Sequence, residues 1–201
     1  MSFNPHIANI VQSAFKTLGF IMRTLQPTDD PESYLLLFQS LVLSKLTYAS
    51  VVWMPSTKSK ISLIDSVQAA FCRRLFFKLN GFYPVYPNPI SYRDLRGHLC
   101  LPSIESRHKL IQLQFLHKVI HDSIDSMDLV NDICYRVPCT RIRSNELYEF
   151  FAIPRSSHSN LSPIYRALTE YNKYHSDAID IDLSVPYNQV LKTLKNILYN
   201  N

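Results

Sequence analysis

Glycine is nearly missing from this chain, with three residues in 201. Tight hairpins and phosphate-cradling loops both need backbone at positive φ, which glycine adopts at least cost. The scarcity points to helices and away from a P-loop or a dinucleotide-binding turn. Cysteine is sparse too: the four residues stand at 72, 100, 134 and 139, and no pair has CxxC spacing. The opening stretch Met1-Ser2-Phe3-Asn4-Pro5-His6 has neither a basic nor an apolar leader character. These two features predict reduced thiols and an intracellular chain, nuclear or cytoplasmic. Long apolar runs are lacking as well. The longest, Tyr34-Leu35-Leu36-Leu37-Phe38, falls far short of a membrane span, so no membrane partner is expected. Acidic residues are in deficit, 16 against 21 Lys and Arg, which leaves a formal net charge of +5 and a pI near 9.0.

What is present suits a folded core. Hydrophobic residues make up 46% and charged residues 18%, a globular balance. Ile7, Val11, Ala14, Phe15, Leu18, Ile21, Met22 and Leu25 recur at three- and four-residue steps, one stripe of a first helix. Asp30 precedes Pro31 and Glu32 as a helix cap, opening a helix over 31–47 that is apolar nearly all round. This helix is expected at the centre, and Leu37, Phe38, Leu41 and Phe71 are expected to be buried. Residues 48–53 are read as a helix end closed by Pro55. A third helix over 58–79 turns Ile61, Ile64, Val67, Phe71 and Leu75 inward, with Lys60, Gln68, Arg74 and Lys78 on other faces. A turn-rich segment over 80–90 follows. Ser91 with Asp94 marks a short helix, and Ser103 with Glu105 a long one over 103–121. Shorter helices are expected near 126–135, 163–174 and 187–199, with 136–161 irregular. The fold class is therefore mainly α: a multi-helix bundle over 1–125, with an irregular helical C-terminal extension over 126–201 packed on it.

Catalytic constellations are weak. Asp29-Asp30 could hold metal ions for phosphoryl transfer. The pair stands between Pro27-Thr28 and Pro31 at a helix start, where a carboxylate caps amides. His117 and His121 have a zinc-compatible i, i+4 spacing, but Lys118-Val119-Ile120 fills the gap where a metalloprotease carries Glu. Cys134 and Cys139 form one C-x4-C pair with no second pair, which favours buried thiols. No GxSxG elbow is present. No catalytic residue, metal site or cofactor is expected.

The cations are better organised. Residues 61–120 hold eight Lys and Arg against three Asp and Glu. Arg73, Arg74 and Lys78 lie on one expected helix, and Arg107, Lys109 and Lys118 on another. Arg93 and Arg96 fall between them, near Tyr83, Tyr86 and Tyr92. Guanidinium groups bridging phosphates, with tyrosines able to stack on sugars or bases, suit a nucleic-acid backbone. Arg73, Arg74, Lys78, Arg107 and Lys109 are expected to share one surface across two helices.

Several blocks also look familiar. Ala14-Phe15-Lys16-Thr17-Leu18-Gly19-Phe20-Ile21-Met22-Arg23, led by Phe3-Asn4-Pro5-His6-Ile7, resembles the segment just after the palm in reverse transcriptases of jockey-like retrotransposons lacking long terminal repeats. Leu41 through Pro55, Ile61 through Phe71, Leu99 through Arg107, and Ser162-Pro163-Ile164-Tyr165-Arg166 with Tyr171-Asn172 are similar to later blocks of that family, in order. Leu43, Thr47 and His108 depart from it, standing where the family often has Arg, Glu and a second Arg. The resemblance covers nearly the whole chain. It implies a thumb and C-terminal region without the palm's catalytic aspartates. Such a region would grip an RNA or RNA–DNA duplex through its backbone, or dock on the palm of an intact enzyme. A helical protein-interaction module and a relic reading frame are the alternatives.

Overall fold

A computed structural model describes residues 3–26, 30–55, 57–83, 90–135, 148–149, 162–176, 181 and 183–199. The chain is mainly helical, as the glycine count and periodicity suggest, and it divides into two compact units, 1–107 and 108–201.

The first unit is built on α1 (Asn4–Thr24), whose buried residues Ile7, Val11, Ala14, Leu18, Ile21 and Met22 are the expected stripe. It contains α2 (Pro31–Leu37), a π-helical segment (Phe38–Leu43), α3 (Ser44–Thr47), α4 (Ser50–Trp53), α5 (Lys58–Asn80) and α6 (Tyr92–His98). Asp30 caps α2 as expected, accepting from the Glu32 amide at 3.3 Å. Ser91 caps α6, accepting from the Asp94 amide at 3.1 Å while its hydroxyl donates to the Asp94 carboxylate at 2.8 Å.

The helix expected over 31–47 is interrupted. A π-helical turn holds more residues than an α turn, so it shifts the inward stripe. The buried positions run Tyr34, Phe38, Val42, Leu43 and Leu46, and Leu41 is left 40% exposed. Phe38 and Phe71 are both fully buried, as expected, with rings stacked at 3.9 Å and 7°. Leu37 is half-buried against this core. The second interruption is Ala49, in the left-handed region at φ 50°, which separates α3 from α4.

In α5, Ile64, Val67, Phe71 and Leu75 are buried, and Ile61 is half-buried. Gln68, expected on an outer face, is instead fully buried. It lies four residues after Ile64 and three before Phe71, on the same stripe. Its side-chain amide donates to the Pro102 carbonyl at 3.0 Å, which offsets part of the cost of desolvation.

The division between the units falls inside α7 (Ile104–Ile120), whereas the sequence-based boundary stands at 125/126, at the loop that follows this helix. Side-chain burial explains the difference. Ile104 belongs to the first core, while Leu110, Leu113, Leu116 and Val119 belong to the second. The second unit adds α8 (Met127–Asn131), α9 (Pro163–Ser176) and α10 (Tyr187–Tyr199). Ile164, Ala167, Leu168 and Tyr171 of α9 pack with Val190, Leu194 and Leu198 of α10. The helix expected to 135 ends at Asn131 and is followed by β1 (Cys134–Tyr135), paired antiparallel with β2 (Tyr148–Glu149). The rest of the expected irregular stretch 136–161 lies outside the described residues. Among the described residues, no helix is long and apolar enough to cross a membrane.

Candidate nucleic-acid interface

The charge excess divides with the units. Residues 1–107 carry eleven Lys and Arg against six Asp and Glu, and residues 108–201 carry ten of each. The whole net charge of +5 therefore resides in the first unit. Of the eight cations singled out from the sequence, Arg73, Arg74, Lys78, Arg93, Arg96 and Arg107 belong there. Lys109 and Lys118 belong to the second.

The six differ in what occupies them. Arg73 and Arg93 are exposed, on α5 and α6 respectively. Arg74 is half-buried on the neighbouring edge of α5. Lys78 is held within the fold, where its ammonium donates to the Leu25 carbonyl at 2.8 Å and lies 6.0 Å from the centre of the Tyr34 ring. It thus closes the C-terminal end of α1. Arg96 lies over the Tyr92 ring at 5.8 Å, and Arg107 is half-buried.

Tyr92 is engaged in the same way. Its hydroxyl donates to the Asp65 carboxylate at 3.0 Å, so α6 is latched to α5. Burial pushes the Tyr92 hydroxyl well above the ordinary phenol range, with the Asp65 charge adding to the effect. Burial also raises the Asp65 carboxyl, against the opposing pull of the Tyr92 hydrogen bond and the Arg96 charge. Cys72, beside this latch, has its thiol pushed up to about 11, chiefly by burial. Tyr86 lies outside the described residues. Tyr83 is half-exposed and stacks on Phe77 at 4.4 Å and 14°. Phe77 stands off the inward stripe of α5, at i+4 from Arg73. That spacing is readable in the sequence, but a phenylalanine there is naturally assigned to the core.

In the second unit, Lys109 reaches Glu170 at 3.8 Å, and Lys173 holds the same carboxylate at 2.9 Å. Lys118 is exposed, with its ammonium 5.8 Å from the Tyr187 ring centre. The set expected on one surface is thus distributed over two units, and Lys78, Arg107 and Lys109 are engaged within the fold. The strongest cations for an external phosphate are Arg73 and Arg93, with Arg74 beside them.

The histidine pair takes no metal-ligand geometry. His117 and His121 stack at 4.1 Å, and each directs Nε2 at a backbone carbonyl, Val185 at 3.0 Å and Leu183 at 2.7 Å. A ring nitrogen facing a carbonyl carries the proton, so those nitrogens offer no lone pair to a cation. Among the described residues, no group of three or more His, Cys, Asp or Glu is placed to hold a metal ion. Asp30 is a cap, and Asp29 lies outside the described residues. Among proteins of known family, curated function or solved structure, none matches this chain.

Proposed function

We propose that the first unit binds the sugar–phosphate backbone of an RNA or RNA–DNA duplex, without sequence preference and without chemistry of its own. In this reading the chain is the thumb and C-terminal region of a jockey-like reverse transcriptase. The ordered blocks from Phe3-Asn4-Pro5 to Tyr171-Asn172 support the family, and the segregated charge supports the activity. The observation that carries it is the full +5 on residues 1–107, with Arg73 and Arg93 exposed on two helices latched by Tyr92 and Asp65. Cations so placed displace counterions from a polyanion, which makes binding fall as salt rises.

The test is duplex affinity measured by anisotropy over a salt series. Arg73→Glu with Arg93→Glu should weaken binding to all sequences alike and flatten the log–log salt slope by about two. Unchanged affinity and slope would remove the backbone reading. Primer extension with Mg²⁺ or Mn²⁺ should be absent. Template-dependent incorporation that disappears in Asp29→Ala with Asp30→Ala would overturn that expectation.

A second reading is a helical module that docks on protein, such as the palm of an intact enzyme. It is favoured by the exposed apolar side chains Phe20, Leu36, Tyr48 and Val52 of the first unit. Salt-insensitive binding to a protein, with no affinity for duplex, would bring it forward.

A further inference from the structure

Gripping a duplex through its backbone leaves the aromatic end of α5 unused. Phe77 is 39% exposed, Tyr83 50% and Phe82 60%, although each would be more stable out of water. The backbone forms this cluster. Gly81 adopts φ 77° as the left-handed cap of α5, with its amide donating to the Phe77 carbonyl at 2.8 Å. That reversal returns the chain over the last turn and lays the Tyr83 ring on Phe77, nearly parallel. Phe82 sits edge-on to Phe76 at 5.6 Å and 87°.

Arg73 and Arg74 precede Phe77 by four and three residues, so both lie one helical turn from the stack. Among the described residues neither guanidinium group holds a hydrogen bond or an ion pair. The polarity of the helix divides the chemistry. Carbonyls at its C-terminal end disfavour an anion beside the aromatic rings, while the two guanidinium groups favour one a turn earlier. A ligand suited to both carries a flat, neutral, polarisable group next to a phosphate. A nucleotide is such a ligand, but only if its base is free of a pairing partner, because bases inside a duplex already stack on each other.

We propose that the Phe77–Tyr83 stack is a platform for unpaired bases of single-stranded RNA or DNA, with Arg73 and Arg74 taking the adjacent phosphates. This rests on the nucleic-acid reading above and extends it from the duplex to the single strand beside it. Base–aromatic stacking tolerates any base, because every base presents a π face.

The experiment compares three labelled probes on the full chain: a single strand of mixed sequence, an abasic strand of the same length, and a blunt duplex. The base-bearing strand should bind about tenfold or more tighter than the abasic one. Phe77→Leu with Tyr83→Leu keeps the apolar bulk and removes the rings. It should abolish that preference and leave the salt slope of duplex binding, which the cations set, unchanged, with helical circular dichroism and Trp53 fluorescence as checks on folding. Equal affinity of the unaltered protein for the abasic and base-bearing strands, with duplex binding intact, would overturn the platform and spare the backbone reading. A preference that survives the double substitution in a folded protein would also overturn it. Failure to bind any of the three probes would defeat both readings together.

Discussion

Phe38 and Leu41 stand three residues apart on one expected helix, yet they face different surroundings. Phe38 is fully enclosed and stacked on Phe71, so Phe38→Ala should cost about 3–5 kcal/mol in a urea titration. Leu41 is 40% exposed, and Leu41→Ala should cost less than about 1 kcal/mol. A similar loss for both would mean that the π-helical turn does not direct Leu41 outward. At Asp65 burial outweighs the Tyr92 hydrogen bond, so the folded state holds its proton more tightly than the unfolded chain does. Between the ordinary carboxylate value and the raised folded one, folding takes up a proton, and stability is lost as pH rises through that window. Asn at this position can still accept from Tyr92. Asp65→Asn should therefore be at least as stable as the native chain at neutral pH and should lack that decline. A clear loss of stability near pH 7 would show that the carboxylate charge is needed. The two described thiols should also separate under an alkylating reagent: exposed Cys100 reacts first, while Cys72, its thiol pushed up to about 11, reacts only on unfolding. Mass mapping of peptides labelled at pH 8 distinguishes the two.

Among the elements, Ala49 carries local strain in a turn between two helices. It is an exposed alanine at φ 50°, ψ 24°, between α3 and α4. A Cβ in that region crowds the following carbonyl, and glycine does not. Ala49→Gly should gain about 0.5–1 kcal/mol despite its looser unfolded chain, as a rise in the thermal midpoint. A fall would show that the turn does not tax the folded state. This turn also shows where reading the sequence fails. The caps at Asp30 and Ser91 are legible because each depends on a side chain and amides within a few residues, and the start of α9 at Pro163 because a proline suits a first helical turn. A left-handed alanine and a π-helical turn have no such local cause. They are imposed by what α1 and α5 demand of the segment between them, and period counting assumes a uniform helix. Gln68 escapes period counting for a related reason: its partner, the Pro102 carbonyl, is distant in sequence. The candidate site is half legible on the same grounds. The positions of the cations are sequence facts, whereas the engagement of Lys78 by Leu25 and of Lys109 by Glu170 is tertiary.

At the scale of the whole molecule, each unit has a core of its own, and the chain's single tryptophan, Trp53, lies in the first. Trp53 fluorescence should therefore follow the first unit in denaturant, while far-ultraviolet circular dichroism follows both. Leu194→Ala, in the second core, should lower the dichroism midpoint and leave the fluorescence midpoint in place. Equal shifts in both signals would mean that the units unfold as one. The boundary inside α7 has an electrical consequence as well. With eleven cations against six anions on one side and ten of each on the other, the chain is a charged body joined to a neutral one. Under the proposed backbone reading, the net long-range attraction to a polyanion would belong to the first unit alone, so exchanging cations of residues 1–107 for cations in residues 108–201 at constant pI should change the association rate at low salt.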